Sequence, residues 1–304
     1  MGFEVSELAL GTWGLSGDAY GRVYEAELER VIELALELGI TLFETADSYG
    51  HGAMEKLLGD TLDPTTTRVV TKVGTVRDEA PHKRFDTHYL KDALARSRDR
   101  LKREVIDVVL LHNPTVAHLN DGDAVAFLRE EKHSGRLLAW GVSAGSFDVA
   151  RASVDHSADV LQLAYNLLNA RDLHRLTDRL AQTDTAVLAR SVLSHGLLVG
   201  HWSPSKTFFD EDHRSKRWTP DELKYRIAQL QAVRPMVVED VLTLRAAALR
   251  FVLSNQVVTS AVIGVRSQTQ LRQLVREVGD EGEYLPEGVL RALPDWLAQV
   301  GIEL

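Results

Sequence analysis

The chain has 304 residues, 44% of them hydrophobic, enough to bury a large core as one barrel or as two smaller domains. Its formal net charge is −9, from 44 acids against 35 bases with no long run of one sign, which argues against a dedicated nucleic-acid or anionic-membrane surface. It contains no cysteine, which excludes disulfides, thiolate metal sites and thiol nucleophiles.

Val5 to Thr12 reads as a short strand closed by Gly-Thr-Trp. Tyr24 to Leu38 follows as a helix, with Leu28, Val31, Leu34, Ala35 and Leu38 on one stripe. Ile40 to Glu44 is a second strand, which turns polar through Asp47 and Tyr49, and Ala53 to Leu62 is a short helix. Val69 to Val73 is strand-like and carries Lys72 near its end. A helix marked by Leu90, Leu94, Ser97 and Leu101 starts near Asp86-Thr87, either of which can cap it. Ile106 to Leu111 is a strand running into His112-Asn-Pro, and Asp123 to Lys132 a helix ending at Ser134-Gly135. Leu137 to Val142 is a strand ending in Ser143, Ser146 to Val154 a short helix, and Val160 to Ala164 a strand containing Gln162. Leu173 to Leu180 is helical, and Ala186 to Ala189 is a strand ending in Arg190-Ser191. After a polar and aromatic excursion, Asp240 to Leu253 is a helix, Ala261 to Ile263 a strand and Thr269 to Val278 a helix. Leu285 to Val300 looks like a terminal helix broken by prolines.

The recurring unit is strand then helix, and the strands are continuously apolar rather than alternating, as strands covered on both faces are. Eight such units in this length fit a closed (β/α)8 TIM barrel, a single α/β domain over residues 1–304. No Gly-x-Gly-x-x-Gly follows a strand, which weakens an open dinucleotide-binding sheet. No basic-then-apolar leader opens the sequence and no apolar run nears the ~18 residues of a membrane span. A soluble cytoplasmic protein is the expectation.

In such a barrel the C-terminal strand ends converge on one face, where active sites sit. The polar residues placed there are Thr12, Glu44, Tyr49, Lys72, His112, Ser143, Gln162, Arg190, Ser191 and Arg266, with Gly264. Each alone has a bland reading: an edge lysine, a turn histidine before Asn-Pro, a tyrosine capping a helix. Their recurrence at the same end of successive strands is what makes them a site. Together they suit proton transfer to a carbonyl oxygen. A phenol near pKa ~10 is too weak an acid at neutral pH. An adjacent ammonium favours the phenolate, and a shift of about three units corresponds to roughly 4 kcal/mol. A carboxylate fixes the lysine and a histidine holds the carbonyl. None of these moves electrons, so a reduction needs a bound hydride donor. A metal centre is disfavoured because His51, His82, His88, His112 and His118 lack paired spacing, and a serine hydrolase because Gly-x-Ser-x-Gly is missing.

The residues resemble the aldo-keto reductase family nearly end to end. Leu10 to Trp13 is similar to its first strand, and Glu44-Thr-Ala-Asp-Ser-Tyr49-Gly50 with Met54-Glu55-x-x-Leu-Gly59 to its tyrosine signature. Thr71-Lys72-Val73-Gly74, Ile106-Asp107 to His112-Asn-Pro114, Gly141-Val142-Ser143, Gln162 with Tyr165-Asn166, and Val262-Ile-Gly264 to Gln270-Leu271 follow in the family's order. The resemblance implies an NADPH-dependent reductase of aldehydes and ketones, NADH not being excluded, with a small carbonyl compound as partner and neither nucleic acid nor membrane. It casts Tyr49 as acid, Lys72 as the residue tuning it, Glu44 as the lysine's partner and His112 as the carbonyl-orienting group. Thr12 and Trp13 would lie near the nicotinamide, Ser143 and Gln162 on its carboxamide, and Arg190 where a ring-stacking aromatic is usual. Ser191, Leu193 and Gly196 would run along the pyrophosphate. Gly264, Arg266, Gln270 and Gln273 would hold the adenosine phosphate end.

Four departures stand out. Glu44 replaces the usual aspartate, so its extra methylene must retract or shift Lys72. Ala144 follows Ser143 where asparagine is usual, Gln273-Leu274 replaces a Glu-Asn pair, and the N-terminal hairpin over the barrel floor is shortened. The excursion from His201 to Trp218 reads either as a loop packed on the rim or as a lid over the cofactor phosphates, with Arg214 the favoured contact. Two other functions stay open: a redox-neutral elimination or epimerisation on the same barrel, and a non-catalytic NADPH-binding regulatory subunit.

Overall fold

Eight parallel strands close into a barrel: β1 (Leu8–Gly11), β2 (Leu42–Glu44), β3 (Arg68–Val73), β4 (Ile106–His112), β5 (Leu137–Ser143), β6 (Val160–Ala164), β7 (Ala186–Arg190) and β8 (Val258–Gly264). Each strand pairs with its neighbour in sequence, and β1 closes on β8 with Leu8 opposite Ala261 and Gly11 opposite Gly264. The computed structural model describes residues 2–78, 81–279 and 284–304. Helices α1 (Glu25–Glu37), α2 (Ala53–Thr61), α3 (Thr87–Leu101), α4 (Asp123–His133), α5 (Phe147–Asp155), α6 (Pro220–Gln229), α7 (Leu244–Leu253), α8 (Gln268–Arg276) and α9 (Glu287–Ala298) surround it. Among the described residues no helix is long and apolar enough to cross a membrane.

Two apolar clusters hold this arrangement. The larger one fills the layer between strands and helices. The smaller fills the barrel interior with Ala9, Leu42, Val70, Val108, Leu110, Ala139, Val160, Leu188 and Val262. Side chains alternate along a strand, so positions two further on also point inward. From Leu42, Val70, Leu110, Val160 and Leu188 that step reaches Glu44, Lys72, His112, Gln162 and Arg190. The polar end of the barrel is the same inward column, continued upward.

The boundaries differ from the sequence expectation where a local device overrides periodicity. β1 starts at Leu8 rather than Val5, and Phe3 and Val5 pack against the interior cluster instead. β2 likewise begins at Leu42 instead of Ile40, and β8 extends over Val258–Gly264. Helix α7 begins at Leu244, not Asp240, because the Thr243 hydroxyl accepts the Ala246 amide and caps it there. Leu173 to Leu180 divides into two four-residue helical turns, Arg171–His174 and Thr177–Leu180. The C-terminal helix is continuous through Pro294, held by buried Leu293 and Leu297. Helix α6 was not foreseen, although Thr219-Pro-x-Glu222 makes a complete capping box at its start. The hairpin of Thr75–Val76 with His82–Lys83 was also missed.

Candidate active site

The turn after β2 is pinned by its neighbours. The amides of Thr45 and Asp47 donate to Val70 and Lys72 carbonyls at 2.8 and 3.0 Å, continuing the pairing with β3 beyond the strand. Asp18, from the loop after β1, accepts the Gly50 amide at 2.7 Å and pairs with Arg77 at 2.6 Å. Arg77, from the loop after β3, also donates to the Ser48 carbonyl at 2.8 Å. Three loops are thereby tied around Tyr49. Asp18 and Arg77 were not singled out in the sequence; the available signal was that each lies a few residues beyond a strand end.

Lys72 Nζ donates to the Tyr49 hydroxyl at 3.0 Å and to the Thr45 carbonyl at 2.7 Å, and forms a buried ion pair with Glu44. Its ammonium also lies over the tyrosine ring, 4.5 Å from the centroid. The longer acid reaches the lysine and pairs with it. Gly11 faces Glu44 across the β1–β2 register, and a Cβ there would lie 3.3 Å from Glu44 Oε2. The bare strand gives the extra methylene its room. Glu44 Oε1 in turn accepts a hydrogen bond from Gln162 Nε2 at 3.0 Å, so one carboxylate joins Lys72 on β3 to Gln162 on β6. The His112 ring stands edge-on to Tyr49 with centroids 6.1 Å apart.

The protonation states follow from this packing. Burial is the largest influence on the Tyr49 phenol and raises its pKa, Glu44 raises it further, and Lys72 only partly offsets the two. The expected downward pull of the lysine is present but does not win. Burial penalises the Lys72 ammonium, yet Glu44 and Tyr49 together hold its pKa above the ordinary value. His112 falls well below its ordinary pKa, through burial first and then Lys72, Lys83 and Arg190. The site therefore holds a protonated phenol, an ammonium and a neutral imidazole.

Above these groups opens a cavity of about 1010 Å³. Trp13, Ser143, Gln162, Arg190, Ser191, Leu193, Gly196, Arg214, Gly264, Arg266, Gln270 and Gln273 all line it, together with Glu44, Tyr49, Lys72 and His112. Thr12 is the exception: it is fully buried, its hydroxyl has no partner among the described residues, and it lies behind the wall. Arg190 donates to the Ala144 carbonyl at 2.9 Å. Arg214 is gripped by Asp212 and lies over the Tyr20 and Phe208 rings, each centroid 4.7 Å away. The excursion thus folds over the rim, with the His213 ring tilted against Trp13 at 4.7 Å between centroids. Arg266 donates to the Gly21 and Arg22 carbonyls at 3.1 and 2.9 Å, and its own amide donates to Gln270. Arg217 and Trp218, from the excursion that the sequence offered as a lid, also line the cavity, as do Tyr20 and Arg245, to which the sequence reading assigned no place in the site.

The cavity suits a long ligand with hydrogen-bonding ends. Gln162 Oε1 and His112 Nδ1 are buried without partners among the described residues. With its Nε2 committed to Glu44, Gln162 presents its oxygen as an acceptor, which matches an amide –NH2 such as that of a nicotinamide carboxamide.

A barrel mouth that sets a phenol, from the turn after β2, beside an ammonium and an imidazole from the inward column suits carbonyl–alcohol chemistry, and comparison with known proteins places the chain among carbonyl–alcohol oxidoreductases. The sequence model of the aldo/keto reductase family matches residues 7–279, and the chain belongs to that family. Pyridoxal 4-dehydrogenase of Microbacterium luteolum is 27% identical, covering 90% of each chain. The NADH-specific methylglyoxal reductase of Escherichia coli (strain K12) is 25% identical over 89% of each. Among solved structures, the glycerol dehydrogenase of Gluconobacter oxydans superposes with a TM-score of 0.85 at 25% identity, covering 99% of this chain and 94% of that one.

Proposed function

We propose that the chain is an NADPH-dependent reductase of aldehydes or ketones, with Tyr49 as the proton donor. The observation that carries this reading is the Lys72 ammonium bridging the Tyr49 hydroxyl and the Glu44 carboxylate inside the cavity. A phenol kept protonated by burial is an acid in its loaded form. Lys72 donates to the same oxygen and so stabilises the phenolate that forms as the proton leaves. Glu44 keeps the ammonium charged against burial, and a neutral His112 turns its imidazole toward the oxygen that Tyr49 protonates. A bound dihydronicotinamide would supply the hydride.

Gln162 and Ser143 would hold the carboxamide, Trp13 and Arg190 would flank the ring, and Ser191, Leu193, Gly196 and Arg214 would follow the pyrophosphate. Gly264, Arg266, Gln270 and Gln273 would receive the adenosine end. NADPH is favoured over NADH by Arg266, whose guanidinium meets carbonyls but no carboxylate among the described residues. The relative from Escherichia coli is named NADH-specific, so both cofactors belong in the assay.

Tyr49→Phe is expected to lower kcat by about 10²- to 10⁴-fold, the range of a lost general acid, while NADPH still binds with near-unchanged affinity by fluorescence titration. Undiminished carbonyl reduction by that variant would sink the assignment.

A further inference from the structure

Tyr49 and His112 lie at the ends of β2 and β4, with Lys72 on β3 between them. Both stand where regular pairing with β3 has given out. On the β4 side that pairing stops at Leu111, one residue short of His112. Tyr49 lies in the turn beyond β2, which then runs through three consecutive left-handed residues: Gly50 at φ +56°, His51 at +54° and Gly52 at +91°. His112 is followed by Asn113, also left-handed at φ +52°. Such backbone is costly for His51 and Asn113, so these turns depend on bonds from outside to keep their shape.

The hairpin that follows β3 reaches sideways to both turns. It pairs Thr75–Val76 with His82–Lys83. On one side Arg77 Nη1 donates to the Ser48 carbonyl at 2.8 Å and to Asp18 at 2.6 Å, and Asp18 accepts the Gly50 amide at 2.7 Å. That carbonyl and that amide belong to the two peptide groups flanking Tyr49, so the Asp18–Arg77 pair closes on the residue from both sides. On the other side Lys83 Nζ donates to the His112 carbonyl at 2.7 Å. It also donates to the Thr75 hydroxyl at 2.6 Å, which ties it back to the strand leading to Arg77. The root of the hairpin is fixed as well: the Arg84 amide donates to the Gly74 carbonyl at 3.1 Å, and a Cβ on Gly74 would run into the Phe85 ring. Arg77 and Lys83 both reach solvent, so each bond is modest in strength. What they supply is geometry.

We propose that Arg77 and Lys83 are positioning residues, and that the hairpin carrying them is a brace that sets Tyr49 against His112. The parts played by those two side chains rest on the reductase reading; the brace between their turns does not.

The test uses Arg77→Met and Lys83→Met, with the best substrate among butanal, glyceraldehyde and benzaldehyde. Each variant should lower kcat by about 3- to 10-fold, the net scale of an ordinary hydrogen bond. KM and the NADPH dissociation constant should stay within about threefold of wild type. Counting kcat per NADPH-binding site removes any loss of folded protein, and Arg77→Lys, which keeps a donor, should recover most of the rate. The double variant should lose little more than either single one, because releasing one end of the brace already frees the spacing. Losses that multiply overturn the proposal. So does an unchanged kcat in either single variant, and a raised KM or dissociation constant beside it assigns that residue to a ligand instead. If the wild-type protein reduces no carbonyl, the reductase reading fails by itself and hydrogen exchange decides the brace. The Gly50 amide should then exchange about 5-fold or more faster in Lys83→Met, although the bonds of Lys83 go to Thr75 and His112. Unchanged exchange at Gly50 overturns it.

Discussion

Glu44 serves two partners with one carboxylate. Its Oε1 takes the Lys72 ion pair and the Gln162 amide together, and both contacts are buried. An aspartate there would be shorter by one methylene, so it could keep one partner at good geometry and not both. Glu44→Asp is therefore expected to retain an active phenol–ammonium pair while freeing Gln162 to turn. The NADPH dissociation constant should rise by about 3- to 10-fold, the net scale of one ordinary hydrogen bond, with a smaller change in kcat. Cofactor affinity identical to wild type would show that Gln162 needs no such anchor. The sequence marked Glu44 as the departure that matters and gave it the right lysine. It did not reveal Gln162 as the second partner, because that contact spans 118 positions and crosses the barrel. Strand-end polarity shows which residues reach the cavity, not which of them touch.

The strands deliver the site through register. Adjacent strands put Gly11 beside Glu44, Lys72 beside Leu110, and His112 beside Ser143 and Ser143 beside Gln162, so a slip of one residue would turn a catalytic candidate outward. Gly141 guards this register between β5 and β6. A Cβ there would sit 1.9 Å from the Val160 carbonyl oxygen and 2.9 Å from Leu110, a clash with backbone that no rotamer relieves. Gly141→Ala should cost about 2 kcal/mol or more, at the upper part of the range for overpacking, read as a shift in the urea midpoint. A loss under about 0.5 kcal/mol, the size of a neutral surface change, would mean the strands separate freely. All eight strands and most helices were legible from apolar runs and stripes. The misses share a cause: the start of α7, the capping box of α6 and the Thr75–Val76 hairpin depend on side-chain-to-backbone bonds and turns, which hydrophobic periodicity does not report.

For the molecule as a whole, a net charge of −9 goes with a cavity lined by Arg77, Arg190, Arg214, Arg217 and Arg266. Such a field draws a polyanionic dinucleotide inward and repels it from the rest of the surface. The association rate of NADPH should accordingly fall several-fold between about 0.05 and 0.5 M salt, as the screening length shrinks below ~10 Å, with a weaker effect on dissociation. A rate indifferent to salt in stopped-flow fluorescence would remove electrostatic steering. The overall charge was plain in the composition. The inversion of sign inside the cavity was not, since it arises when loops far apart in sequence bring more arginines than carboxylates to one cavity.

Gly11 and Glu44 constrain each other in what they can become. Alanine at position 11 would meet Val262 Cγ1 at 2.9 Å whichever acid stands at position 44, and the Glu44 carboxylate at 3.3 Å besides. Glycine admits either acid, whereas shortening the acid would relieve only the milder of alanine's two side-chain contacts. Position 11 can therefore lengthen only where position 262 gives way as well as position 44, so two neighbours from different strands hold it at glycine.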